Sequence, residues 1–140
     1  VLVTDTPKPT DAELAVLRVL WTHGPSTVRE VHDAMAGDRT VVYTTTLKTL
    51  QTMTEKGLTV RATERGQHVY RPRHAEAATQ VRLVTDLLDR AFGGSAGKLV
   101  LQALESRRTS PAELREIRRW LAGQATADRR SRSREDSDDD

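Results

Sequence analysis

The apolar period of the chain changes twice, and those two changes bound what it can fold into. Up to Gly57 hydrophobic residues recur at helical spacing between clear stop signals. Over residues 58–73, in LTVRATERGQHVYRPR, they alternate, and from His74 onward the helical spacing returns. A segment of period two cannot belong to a helix, so a short hairpin must be inserted between two helical regions. It is expected to turn at Arg65-Gly66 and to return through Val69 and Tyr70 to Pro72.

The helices before the hairpin are marked by their caps. Thr10 followed by Glu13 is a capping-box pair, Leu14, Leu17, Leu20 and Trp21 form an apolar stripe, and Gly24-Pro25 stops it. Thr27 and Glu30 repeat the device ahead of Val28, Val31, Ala34 and Met35, with Gly37 as the stop. A third helix is expected over Thr44–Lys56, ended by Gly57. Helices this short need a shared core. Three helices and a hairpin is the order of a winged helix-turn-helix, with the third helix available to a DNA major groove and the hairpin as the wing.

Beyond His74, Val81, Val84, Leu87 and Leu88 line one helix, Gly93-Gly94 breaks it, and SAGKLVLQALES and SPAELREIRRWLAG supply two more. The last of these has Ser110 as cap, Pro111 in the first turn, Glu113 completing the box and Gly123 as its end. With aromatics at 4% and charged residues at 30% of 140 residues, one monomeric core would be thin, and burial against a second copy is expected. The expected fold is mainly α with a small β-hairpin wing, a winged helix-turn-helix domain followed by a three-helix dimerisation region. Its parts are a flexible N-terminus (1–9), the winged-helix domain (10–73), the helical dimerisation domain (74–123) and a disordered charged tail (124–140), whose Ser/Arg/Asp composition offers nothing to bury.

The third helix is built from unusual material. Six of the eleven residues from Thr44 to Thr54 are threonine, a β-branched and mediocre helix former. With Leu50 facing the core, Tyr43, Thr46, Leu47, Met53 and Thr54 share its side. Thr44, Thr45, Lys48, Thr52 and Glu55 face away, flanked by Thr49 and Gln51. A merely solvated face would ordinarily carry long Glu and Lys side chains. Short hydroxyls around one lysine instead let a helix approach phosphates and base edges closely, and a threonine methyl can meet a thymine methyl. Residues 38–73 carry seven basic side chains against three acidic ones, among them Arg61, Arg65 and Arg71 on the hairpin, where phosphate contacts are expected. His68 on the same hairpin can add a neutral donor. The candidate DNA-binding residues are therefore Thr44, Thr45, Lys48, Thr49, Thr52, Arg61, Arg65 and Arg71. The competing reading is a winged-helix protein-interaction module that never meets DNA.

Other chemistries find little support. The absence of cysteine excludes disulfides, thiolate zinc sites and cysteine nucleophiles. The four histidines show no metal-ligand spacing, so neither metal nor other cofactor is expected. Gly93–Gly97 fits the Gly-x-Ser-x-Gly pattern of hydrolases, but that elbow needs a strand before its serine and a helix is expected here. Ser95 is read as a helix cap, and the chain as no enzyme, without a small-molecule substrate. No apolar run approaches the roughly 20 residues needed to cross a bilayer, and the start of the chain has no basic region followed by an apolar one, so a soluble, cytoplasmic protein is expected.

The ordered combination ELAVLRVLW, GPSTVREVHDAM, YTTTLKTLQTMTEKGL, HVYRP, FGGSAGKLVLQALE and SPAELREIRRWL resembles the penicillinase-repressor family (the BlaI/MecI type) over about residues 10–122. The resemblance implies a homodimeric winged-helix repressor on a palindromic double-stranded DNA operator, often upstream of antibiotic-resistance genes. It further implies release when a membrane-bound sensor metalloprotease leads to cutting in the dimerisation region. The bond cut in staphylococcal members corresponds to Gln102-Ala103 here. Where family members often carry Thr-x-x-x-Arg late in the third helix, this chain has Lys48 and Thr52, so the operator sequence does not transfer.

Overall fold

The computed structural model describes residues 6–35 and 41–138. Its elements run α1 (Asp11–His23), α2 (Val28–Ala34), α3 (Tyr43–Lys56), β1 (Thr59–Glu64), β2 (Gln67–Pro72), α4 (Glu76–Ala91), α5 (Ala96–Glu105) and α6 (Pro111–Asp138). They fall into two compact units, Val1–Arg90 and Ala91–Asp140. The fold is mainly α with one antiparallel hairpin, and its first part is a winged helix-turn-helix.

Both expected capping boxes at the front of the chain are formed. The Thr10 hydroxyl accepts from the Glu13 amide while the Glu13 carboxylate accepts from the Thr10 amide, and Thr27 and Glu30 do the same for α2. The core joins Val16, Leu17 and Leu20 of α1, Val28 and Val31 of α2, Leu50 and Met53 of α3, Leu58, and Tyr70 of β2. Val16 replaces the expected Leu14, which is only half-buried, and Ala34 of the expected α2 stripe is exposed. The expected stop of α2 at Gly37 lies outside the described residues. Gly57 ends α3 in the left-handed conformation, with its amide donating to the carbonyls of Met53 and Thr54.

The hairpin pairs Thr59 with Pro72, Arg61 with Tyr70 and Ala62 with Val69. Its core side is set by Tyr70 and Thr59, while Val60 is 42% exposed. Leu58 precedes the strand and enters the core from the connection, so the alternation that begins there is broken at Thr59. Reciprocal backbone bonds between Ser26 and Tyr70, at 3.0 and 2.8 Å, clamp the hairpin base to the α1–α2 connection.

At three places the elements run differently from the expected boundaries. Residues 6–9 are not loose: Thr6 and Pro9 are buried, and the Lys8 ammonium bonds the Asp86 carboxylate, which it holds, with help from Arg90, below the usual carboxylate range. The first compact unit extends to Arg90 rather than ending at Arg73, because α4 is tied into it. Thr79 is buried, and the Trp21 indole N–H donates to the His74 carbonyl at 3.4 Å. In the second unit α6 begins with the expected box of Ser110 and Glu113, but it continues past Gly123 to Asp138 where a disordered tail was expected. The physical reason is propagation: residues 124–138 contain no proline, and each residue added to a formed helix gains a backbone bond. An Arg132–Asp128 pair one turn apart adds to it.

Candidate nucleic-acid interface

α3 is held by one buried face and one ion pair. Thr46, Leu50 and Met53 are buried, Leu47 packs beside them, and at the far end Lys56 donates to both Glu13 oxygens at 3.1 and 3.0 Å. Burial pushes the Glu13 carboxyl up. The bonds from the Thr10 amide, Lys56 and the Thr10 hydroxyl outweigh that effect and leave it below its ordinary value. The same carboxylate thus caps α1 and fixes the end of α3.

The outward face is open. Thr44, Thr45, Lys48, Gln51 and Glu55 are exposed, and Thr49 and Thr52 are half-buried. Thr44, Thr45, Lys48, Thr49 and Thr52 border one open groove of about 450 Å³, with Glu13 and Lys56 on its edge. Val42 at the cap makes no side-chain bond to the helix start, and its carbonyl accepts from the Thr45 amide at 3.0 Å.

The threonines divide into two sets. The Thr46 hydroxyl lies 3.3 Å from His32 Nδ1, Thr49 donates to the Thr45 carbonyl at 2.8 Å, and Thr54 donates to the Leu50 carbonyl at 2.9 Å while touching the Thr59 hydroxyl. These three serve the fold. Among the described residues, the hydroxyls of Thr44, Thr45 and Thr52 make no such bond. Thr49 is therefore a weaker candidate than its place on the helix wheel implied, since its proton is used by its own helix. Tyr43, expected in the core, instead sits 36% exposed at the edge, with the His32 ring edge-on at 5.8 Å and the Arg29 guanidinium 4.7 Å above its ring.

The three wing arginines do not act as one group. Arg61 lies opposite Tyr70 and Arg71 opposite Val60, adjacent pairs whose side chains project to opposite faces of the hairpin. Arg61 borders a second groove of about 320 Å³ together with Arg29, Tyr43, Gln51 and His68. Arg71 donates to the Glu64 carboxylate at 3.2 Å on the other face. Arg65 stands at the tip with φ of 52°, followed by Gly66 at 77°. The structure thus joins Arg61 to α3, places Arg65 beyond it, and separates Arg71.

Arg29 was missed from the sequence. It lies on the polar side of α2, and nothing in its spacing shows that it meets Tyr43 of α3. Ser95, by contrast, does what was expected of it: its hydroxyl accepts from the Lys98 amide as the cap of α5, and a helix, not a strand, leads toward it. Gln102 and Ala103 are exposed in the interior of α5. Among the described residues no cluster of His, Asp or Glu could hold a metal ion, and no helix is long and apolar enough to cross a membrane.

A three-helix core, an outward helix of small hydroxyl side chains and a basic hairpin beside it define a protein of the winged helix-turn-helix class. Comparison with known proteins narrows this. The profile of the penicillinase repressor family matches residues 9–123. The transcriptional regulator BlaI of Mycobacterium tuberculosis, in strains CDC 1551 / Oshkosh and ATCC 25618 / H37Rv, is 33% identical over 114 residues, which cover 80% of this chain and 81% of that regulator. Among solved structures, the monomeric form of Bacillus licheniformis BlaI in complex with the blaP half-operator is 28% identical, with 53% of this chain and 90% of that one covered and a TM-score of 0.47. A MarR family protein from Bacillus stearothermophilus is 18% identical, with 86% and 80% covered and a TM-score of 0.43. This chain belongs to the penicillinase repressor family.

Proposed function

We propose that this chain is a DNA-binding transcriptional repressor that acts as a homodimer on a palindromic double-stranded operator. The observation that carries the reading is the open face of α3, with Thr44, Thr45 and Lys48 exposed beside an arginine-bearing hairpin, in a chain of this family. In this reading α3 lies in the major groove, where Thr44, Thr45, Lys48 and Thr52 approach base edges. Arg29 and Arg61 hold the backbone on the side of the second groove, and Arg65 reaches out from the wing tip. Arg71 contributes less, since Glu64 already neutralises it.

The homodimer is supported by apolar surface that the single chain leaves uncovered. α5 buries no residue, with Val100 47% and Leu101 61% exposed, and Trp120 and Leu121 of α6 are 65% and 56% exposed. Covering such surface is worth about 25 cal/mol per Å². Release by a membrane-bound sensor metalloprotease at Gln102-Ala103 is part of the proposal. That bond lies within α5, so cutting it requires α5 to unwind locally first. Placement in the cytoplasm, and the absence of any catalytic role, belong to the same reading.

The test is binding of the full chain to duplex DNA from its own gene's upstream region, followed by fluorescence anisotropy against an unrelated duplex. A preference for the upstream duplex that Lys48→Ala reduces supports the reading. Equal or no binding to both duplexes would favour the protein-interaction module instead.

A further inference from the structure

α6 is longer than its packing needs. Beyond Leu121 it contains no apolar side chain larger than alanine, and residues 121–135 are all exposed. Its charges are nevertheless sorted by face. Advancing about 100° per residue from Arg115, Arg118, Arg119, Arg129 and Arg130 all fall within about 60° of it, with only small residues such as Ala122, Thr126 and Ser133 between them. Glu113, Asp128 and Glu135 fall on the opposite side with Ile117 and Leu121, Leu114 and Glu116 lie on the two flanks, and of the acids Asp136 alone shares the arginine side. All five arginines are exposed, and among the described residues none is in an ion pair. The neighbouring Arg132, off this face, is paired with Asp128. Arg115, Arg118 and Arg119 border a shallow groove of about 330 Å³.

We infer that this arginine face of α6 is a second, sequence-independent surface for the phosphates of duplex DNA. Five arginines share that side with a single acidic position, Asp136, so the excess of like charge repels itself and the arrangement gains most when a polyanion neutralises it. The two arginine groups are roughly 15 to 20 Å apart along the helix axis. That separation lets them reach phosphates on both sides of a major groove about 12 Å wide. Guanidinium groups suit phosphate oxygens because they donate bidentately. An anionic lipid surface shares the chemistry, but a helix lying in that interface needs an apolar face beneath its charges. Arg129 and Arg130 have none. Arg119 and Arg130 lie on the edge of the face turned away from Leu114, Ile117 and Leu121, so covering those residues with a second copy leaves that edge open. Arg129 and Arg130 also lie outside residues 9–123, the span matched by the family profile.

The inference rests on the DNA-binding reading above, and one experiment separates the two. In the full chain, Arg129→Gln/Arg130→Gln is compared with wild type for binding to the upstream duplex and to an unrelated one across a salt series. Loss of two phosphate contacts should shrink the slope of log affinity against log salt by about 1.8 per chain. Both duplexes should weaken by the same factor, leaving their ratio unchanged, and Arg129→Lys/Arg130→Lys should restore the slope. An unchanged slope, with wild type still preferring the upstream duplex, overturns this inference and leaves the proposed function standing. Wild type that binds neither duplex overturns both. Tighter binding of wild type to phosphatidylglycerol vesicles than to either duplex, lost in the glutamine variant, assigns the face to lipid and overturns the inference.

Discussion

Arg65 offers a substitution in which fold and function should move in opposite directions. It and Gly66 form the two-residue turn of the hairpin with φ of 52° and 77°, the left-handed pair that such turns require. For an ordinary L-residue this conformation costs about 1–2 kcal/mol, whereas asparagine adopts it readily because its short side chain bonds the local backbone. Nothing else holds Arg65 in place, since it is exposed and, among the described residues, without an ion pair. Arg65→Asn should therefore stabilise the first unit by roughly 0.5–1 kcal/mol, the part of the strain that asparagine relieves. For a unit of this size that is a rise in Tm of roughly 2–8 °C, measurable by thermal unfolding followed by circular dichroism. The same substitution removes the wing-tip guanidinium, so binding to the upstream duplex should weaken and its salt slope should shrink by about 1. A variant that is more stable and binds less well would show that arginine stands in this turn for its ligand. A lower Tm would refute the strain argument, and unchanged affinity and slope would remove Arg65 from the DNA surface.

Glu13→Gln should cost about 1–3 kcal/mol at neutral pH, toward the lower end because Lys56 is partly solvated, when measured by urea unfolding. Since the folded-state pKa of Glu13 is depressed, its contribution is present above the unfolded value and fades as pH falls through the lower folded one. The variant should accordingly lose less stability than wild type on acidification, and an equal loss would mean that other carboxylates govern that limb. Gly57→Ala places a Cβ 3.8 Å from the Arg73 guanidinium, without a clash, so its cost is that of the left-handed backbone at φ of 82°, about 1 kcal/mol. A neutral result in the same unfolding assay would contradict that account of how α3 ends. Ending the chain after Arg90 should leave a folded monomer by sedimentation equilibrium, with weakened duplex binding. A dimer of that shortened form would place the self-association surface in the first unit.

The parts of the fold that were legible in the sequence are those set by local chemistry. The capping boxes at Thr10, Thr27 and Ser110, the stop at Gly57 and the hairpin turn at Arg65-Gly66 each depend on residues a few positions apart, and each is present as expected. Relations between distant segments were not legible. The inward side of the hairpin is chosen by Tyr70 meeting the core, the capping residue Glu13 also bonds Lys56, and Arg29 finds Tyr43 across two helices. The threonine-rich helix was read correctly as two-faced. How its hydroxyls divide depends on neighbours such as His32 and Thr59, which spacing along α3 does not show. The C-terminal segment is poor in apolar groups and offers nothing to bury, and its composition does not show that a helix begun at Pro111 extends to Asp138 without a core.

The central claim is that the side of α3 away from Leu50 enters a duplex groove. Amide chemical-shift mapping of the isotopically labelled full chain, titrated with duplex from its own upstream region, reads this directly. The account predicts the largest changes at Thr44, Thr45, Lys48 and Thr52, with smaller ones at Arg61 and Arg65. Saturable binding that leaves those four amides unshifted and perturbs a different surface of the first unit would contradict it.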